Sequence, residues 1–512
     1  MASVVKSFAI AGVDAHLVEV ETKTIYGQPL ISIVGLGDTA VKEAKERLEA
    51  ALNQKGFYFP QTKVVINLAP SDMKKSGSHL DLAMAVGLLE ETNQLKAKEL
   101  QSYGFIGELS LNAGLRPCIG VLPMVIAAKE AGIKNMIVPV GNIKEASLVS
   151  GVNIFGFGSL KDVVKFLEGK KGYQLPVDID KDINKDWFDE IDFKEVQGQD
   201  AIIEYVVVAA SGGHNMLMIG APGCGKSMIA KRIPTILPSM TEEESLEVTK
   251  IYSVAGLLKE RGHLITKRPF RAPHHNASTN SLIGGGINAM PGEISLAHNG
   301  VLFLDEIAEF NKKTLESLRQ PMEDQKVTIS RVKYTNTYPA SFMVVAAMNP
   351  CPCGNYGNSK CRCSDYEVLK YRQRISGPIL DRMDIQKYVQ PVDFLDLSGY
   401  SMGRSSGELR ERVEIARNIQ KERYAHIENI NCNAQMTPGL IKEYCRLEDD
   451  SKKLLRLAYD RFKYSARTFH KFLKVGRTFA DLEGSKGIRK KDIAAALMAR
   501  DLDKEQLGML VL

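Results

Sequence analysis

Hydrophobic and polar positions follow three different regimes along this chain. In the first third, VVKSFAIAG, AHLVEVE and PLISIVGLG alternate or run apolar for a few residues, the pattern of strands. TAVKEAKERLEAALNQKG repeats its apolar residues at helical spacing and stops on Gly56, a favoured helix terminator. KVVINLA reads as a further strand and HLDLAMAVGLLEE as a helix. A charge-dense stretch, VDIDKDINKDWFDEIDF, then has little to bury. From Phe193 onward the apolar runs MLMIG, VLFLDEI and FMVVAAMN alternate with helical segments, which predicts a parallel sheet covered by helices. The last hundred residues are helical throughout, from SGELRERVEIARNIQKERYAH to RKKDIAAALMARDL as a single closing helix. The expected division is an α+β unit over 1–172, an acidic linker over 173–192, an α/β core over 193–398 and a helical lid over 399–512.

Composition narrows the class. A chain of 512 residues is too long for one core, and 44% hydrophobic with 25% charged residues excludes collagen, coiled coil and wholesale disorder. No apolar run approaches the roughly 20 residues that span a bilayer, and the first strand meets charge too early for a signal peptide. A cytoplasmic protein without a membrane partner is expected. The net charge of +6 permits an anionic partner. Locally the bias is stronger: residues 461–480 hold Arg461, Lys463, Arg467, Lys471, Lys474 and Arg477 with no acid.

Chemistry concentrates in the α/β core. MLMIGAPGCGKSMIAKRI carries Gly220, Ala221, Pro222, Gly223, Cys224, Gly225, Lys226, Ser227 and Met228 between an apolar strand and a helix, the context a phosphate loop requires. Glycines let backbone N–H groups curl around phosphates, the helix amino terminus adds positive potential, Lys226 reaches the outer phosphates and Ser227 ligates Mg²⁺. VLFLDE delivers Asp305 and Glu306 from a buried strand, Asp305 for the Mg²⁺ shell and Glu306 to polarise the attacking water. A third strand, ASFMVVAAMN, ends on Asn349, whose amide is placed to orient water near the γ-phosphate; a turn-forming role is the plainer alternative. ATP with Mg²⁺ is the expected ligand.

FKEVQGQ (193–199), with Val196, precedes the helix leading into the loop strand, as on the adenine side of AAA+ ATPases. Phosphate loop, LDE, polar strand end and helical lid, in that order, resemble that class. The resemblance makes Arg382 in SGPILDRMD the finger offered to a neighbouring subunit's nucleotide, with Arg374 in YRQRISGP the competing candidate. It also makes Arg467, at the start of a lid helix, a second sensor, although a solvated basic face is the plainer reading. Two inserts narrow the match. A Gly-rich segment (Gly284, Gly285, Gly286) precedes SLAHNG, and the hairpin-like QKVTISRVKYTNTYPA precedes the third strand. With NPCPCG and YRQRISGPILDRMD, these resemble the ComM/YifB family of the magnesium-chelatase-like, helix-2-insert clade over essentially the whole chain. That resemblance implies a hexameric, ATP-driven DNA motor promoting branch migration of recombination intermediates, chiefly in natural transformation. A magnesium-chelatase-type remodeller acting on a protein partner is the alternative. In a ring the inserts would face the pore, where Arg331, Lys333 and the polar 335–337 triplet would grip a phosphate backbone and Tyr334 and Tyr338 stack on bases. Strands around a polar turn are also simply a hairpin.

Cys351, Cys353, Cys361 and Cys363 place four thiols in a loop over 351–363, the number a structural Zn²⁺ takes, with free or redox-active thiols as the alternative. Gly35, Gly37 and Ala40 form a loose dinucleotide fingerprint, but GFYF stands where an acid for the ribose belongs, so NAD binding is rejected. INLAPSDMKKSGSHLDLAMAVGLL and GELSLNAGLRPCIGVLPMVIAAKEAGI resemble the Lon-protease fold, an S5-type α+β domain. His79 stands where that pattern has its Ser, with Ser76 and Ser78 close by, and Pro123 stands where it has its Lys. A non-proteolytic domain is expected, with Lys74 and Lys75 on a basic track.

Overall fold

The computed structural model describes residues 2–54, 56–97, 99–170, 172–173, 191–258, 263–286, 289–331, 334–357, 359–392, 403–428, 430–462 and 464–506. Most of the expected linker and all of Lys333 and Lys463 lie outside these residues, as do the side chains of Arg331 and Tyr334. Among the described residues no helix is long and apolar enough to cross a membrane.

The amino-terminal region is a seven-stranded mixed sheet, ordered Leu30–Val34, Lys63–Ala69, Asp14–Ile25, Ser3–Ala11, Tyr103–Phe105, Asn135–Pro139 and Asn153–Phe157. Ser3–Ala11 and Asp14–Ile25 form an antiparallel hairpin in which Ala11 faces Asp14. Their alternation buries Val5, Val18 and Val20 with the helix Asp81–Glu91, and Phe8 on the opposite face with the helix Val121–Glu130. The predicted helix over 39–56 divides at Glu43 into Thr39–Lys42 and Ala44–Gln54.

The second region is a five-stranded parallel sheet in the order Phe270–Arg271, Val301–Leu304, Met343–Met348, Met216–Ile219 and Ile385–Tyr388. Three of these are the predicted apolar runs, and they are buried along their whole length, as strands covered on both faces must be. Lys326–Arg331 pairs with Tyr334–Pro339 in the expected antiparallel hairpin. Tyr338 departs from expectation: it is buried, and its hydroxyl donates to the Ala289 carbonyl at 2.8 Å. The ring is part of the core and is closed to base stacking. Gly284–Gly285 pairs with Met290–Pro291 in a second, shorter hairpin.

The helices Ser406–Tyr424, Pro438–Tyr444, Asp449–Phe462, Ala466–Leu482, Lys490–Met498 and Asp501–Gln506 make up the carboxyl-terminal region. The single closing helix expected from RKKDIAAALMARDL is two. The break lies at Ala499–Arg500, where tertiary bonds take over the backbone: Gln386 N–H donates to the Ala499 carbonyl at 2.7 Å, and the Arg500 guanidinium donates to the Met383 carbonyl at 2.6 Å.

The amino-terminal sheet is fastened to the parallel-sheet region through the helix Glu242–Val254. Gly120 N–H donates to the Ser253 carbonyl at 3.1 Å, the Ser253 hydroxyl donates to buried Glu145 at 2.6 Å, and Lys250 pairs with Asp14 at 3.0 Å. Ile10 and Val13 of the first hairpin pack on the cluster that contains Val327, Ile329 and Tyr338, at the base of the 326–339 hairpin.

Candidate active site

All strands of the second sheet run the same way, so residues that follow a strand share one edge. Gly220 follows Ile219, Asp305 follows Leu304 and Asn349 follows Met348. The loop 220–227 turns into the helix Lys226–Ile236 through Gly223 (φ 80°) and Gly225 (φ 88°), left-handed conformations that a side chain would strain. The Lys226 ammonium donates to the Gly220 and Ala221 carbonyls at 2.7 and 3.0 Å, and to Asn349 Oδ1 at 3.4 Å. The Ser227 hydroxyl donates to Asp305 Oδ2 at 2.7 Å, so the two side chains expected to share a cation already meet. Glu306 is held at φ 51°, a left-handed conformation that costs a non-glycine residue roughly 1 kcal/mol or more. Its N–H donates to Asp305 Oδ1 at 3.0 Å. Cys224 is buried within the loop, Met228 is partly exposed on the helix, and Val196 lies in the core under it.

The sequence reading missed His275. Its Nδ1 lies 3.3 Å from a Glu306 carboxylate oxygen, and its ring lies against that of His274, centroids 4.1 Å apart and planes tilted by 35°. Nothing in RAPHHNAS marks it, because the contact joins residues thirty-one positions apart.

The arginines divide between the two edges. Arg374 pairs with Glu309 at 2.7 Å, three residues beyond Glu306 and on the loop side. Arg382 precedes the strand Ile385–Tyr388. Its carbonyl accepts from Asn215 Nδ2 at 3.2 Å, and Asn215 precedes Met216, so Arg382 lies at the amino edge. Four-residue strands at about 3.3 Å per residue separate the edges by roughly 13 Å. Arg467, in the first turn of Ala466–Leu482, is at the amino edge too: both arginines reach Glu323, at 2.5 Å from Arg382 and 3.4 Å from Arg467. A cavity of about 1200 Å³ opens here, lined by Arg382, Arg467, Glu323, Lys471 and Asp384 among others. Burial pushes the Lys471 ammonium down to about 8, against the pull of Asp384 3.3 Å away. Burial also works against the Asp384 charge, but Lys471 and His214 outweigh it and hold the carboxyl well below its usual range. The basic stretch 461–480 is thus partly interior, with Lys471 and Arg477 buried.

The ligand-bearing sulfurs of Cys351, Cys353, Cys361 and Cys363 all lie within 4.8 Å of one another. Separations of 3.4 Å (Cys351 to Cys353), 3.7 Å (Cys353 to Cys361) and 3.9 Å (Cys351 to Cys361) bracket the edge of about 3.8 Å set by tetrahedral zinc with bonds near 2.3 Å. Backbone N–H groups of Arg362 and Asn355 pull the Cys353 thiol down to about 6. The donor set therefore fits Zn²⁺. A Cβ on Gly354 would lie 2.5 Å from Pro222 Cδ, so this loop rests directly on the phosphate loop.

In the amino-terminal region, His79 is buried, with Nε2 2.8 Å from the Phe8 carbonyl, and burial lowers its pKa. Pro123 is buried within the helix Val121–Glu130. Ser78 hydrogen-bonds Glu108. Lys75 is also buried, its ammonium donating to the Pro70 and Met73 carbonyls, so it does not belong to a surface track.

Phosphate loop, an acid-bearing strand one strand removed from it, the parallel sheet and the helical lid define an AAA+ ATPase fold. Residues 192–397 match the family described as magnesium chelatase, subunit ChlI; residues 18–142 match subunit ChlI of Mg-chelatase, and residues 403–500 its carboxyl-terminal part. Competence protein ComM of Haemophilus influenzae is 40% identical over 501 residues, covering 97% of this chain and 96% of that protein. The uncharacterized protein YifB of Salmonella typhimurium is 38% identical over 505 residues, 98% of this chain and 97% of that protein. A DNA replication licensing factor of Arabidopsis thaliana is 26% identical over 205 residues, 40% of this chain and 21% of that protein. The chain belongs to the ComM/YifB family of magnesium-chelatase-like AAA+ ATPases.

Proposed function

We propose that this chain is an ATP-driven DNA motor that works as a ring, a hexamer by family resemblance, and promotes branch migration of recombination intermediates, chiefly in natural transformation. One observation carries the reading. Lys226, Ser227, Asp305, Glu306 and Asn349 stand at one edge of the sheet while Arg382 and Arg467 stand at the other. Stacking chains edge to edge would complete each site with a neighbour's arginines. Full-length similarity to a competence protein and partial similarity to a replication licensing factor support DNA as the partner.

In this mechanism the loop N–H groups and Lys226 hold the phosphates of ATP, and Ser227 and Asp305 hold its Mg²⁺. Glu306 accepts the proton of the attacking water, which Asn349 orients. The neighbour's Arg382 and Arg467 neutralise charge developing on the transferred phosphoryl group. Arg374 pairs with Glu309 on the same edge as the phosphate loop, not on the edge offered to a neighbour. Zinc, when bound by the four cysteines, supplies a rigid cross-link that fixes the loop against Pro222. Residues 1–172 act as a non-proteolytic brace for the ATPase unit over 193–398, joined by the 173–192 linker, with the lid over 399–512. Buried His79 and Pro123 leave that brace without a serine–lysine pair at the positions where the Lon-like pattern has one.

The test is ATP turnover with and without a forked DNA oligonucleotide. Stimulation that falls steeply as salt is raised is expected, because phosphate contacts release counterions. Turnover indifferent to DNA at every ionic strength would sink the DNA motor. It would favour the second reading, a protein remodeller, which the three chelatase-subunit matches support.

A further inference from the structure

Arg382 in this structure is not in a position to act on a neighbour. Its side chain is only 10% exposed, and its guanidinium is bound inward, to Glu323 at 2.5 Å and to the Pro378 carbonyl at 2.8 Å. Nε is buried and has no hydrogen-bond partner among the described residues, an unfavourable state for a cationic donor. The same Glu323 oxygen, Oε1, also faces Arg467, so one carboxylate restrains both arginines of the amino edge.

Glu323 is itself tied to a distant feature. It lies in the last turn of the helix Arg319–Asp324, three residues before the hairpin strand Lys326–Arg331. Gln325, at φ 53°, joins helix to strand; its N–H donates to the Pro321 carbonyl at 3.0 Å and its carbonyl accepts from Ala340 N–H at 2.8 Å. Helix end and hairpin base are therefore hydrogen-bonded into one piece. Displacing the hairpin moves the carboxylate that holds the arginines.

The geometry points to Glu323 as a positioning residue: a clamp that keeps Arg382 withdrawn, and engages the exposed Arg467 beside it, until the 326–339 hairpin is moved by a polynucleotide, so that engagement in one protomer releases hydrolysis at the next. This rests on the trans-acting role proposed above for Arg382. Once the clamp opens, the charge freed at the amino edge becomes available to a phosphate; while it is closed, Glu323 offsets one of the two arginine charges.

The experiment measures ATP turnover of the assembled full-length chain with and without forked DNA, for wild type, Glu323→Gln, Glu323→Asp and Arg382→Ala. Glu323 is 49% exposed, so the isosteric amide leaves the packing unchanged. E323Q is expected to raise DNA-free turnover roughly tenfold, the scale of one charge-assisted hydrogen bond, and to bring the ratio with and without DNA close to one. E323D, which keeps the charge, restores the wild-type ratio. An unchanged or lowered DNA-free rate in E323Q, with R382A inactive, would overturn the clamp and leave the finger role standing. Wild-type turnover in R382A would overturn the finger role, and the clamp with it.

Discussion

The two edges of the parallel sheet differ in how complete they are. At the carboxyl edge Lys226 already meets Asn349 and Ser227 meets Asp305, so the groups expected to hold ATP and its Mg²⁺ are in register. At the amino edge Arg382 and Arg467 are bound to an acid of their own chain. One edge is preorganised and the other is restrained. On the proposed mechanism the contrast makes binding and hydrolysis separable: the carboxyl edge would hold nucleotide alone, whereas turnover would wait on an edge supplied from outside.

The most severe way to break this comparison is Arg382→Ala. Turnover is expected to fall about 10³-fold or more, the range seen for arginine fingers, while binding of a non-hydrolysable ATP analogue stays unchanged. A matching loss of binding would place Arg382 at its own chain's nucleotide and dissolve the distinction between the edges. Glu306→Gln should cost about 10²–10⁴-fold in turnover, again with analogue binding intact. Mixing the two inactive variants sharpens the point. Boundaries that pair an intact Glu306 with an intact Arg382 should recover measurable hydrolysis, and no recovery in mixed assemblies would refute a site shared between chains. The smallest effect concerns the loop that rests on Pro222. Metal analysis of the purified chain should find about one zinc, and Cys353→Ser should lose it and lower Tm by a few degrees. Zinc retained by that variant would remove Cys353 from the donor set.

How much could be read in advance follows the range of the interaction. The phosphate loop is a contiguous string whose glycines, lysine and serine act through local backbone geometry, so it was legible in one pass. The acid pair was legible because a buried apolar run followed by Asp305 and Glu306 admits few other readings. The four cysteines were legible as a cluster by spacing; that their sulfurs converge at tetrahedral separations depends on how the intervening turn folds. His275 and Glu323 carried no signal. Each acquires its importance from one partner, Glu306 or Arg382, brought near by strand order. Tyr338 and Lys75 misled for the complementary reason. Both residue types favour surfaces that meet nucleic acid, and here both are buried and satisfied by backbone carbonyls.

The sequence by itself determined the regular elements, the nucleotide-binding loop and the family, because helical and strand periodicity and contiguous motifs are properties of neighbours along the chain. Tertiary structure alone decided which edge each arginine occupies, where the closing helix breaks, and which acid holds Arg382 inward. Those outcomes depend on strand order and on which surfaces are buried together, and neither is a function of any short window of residues.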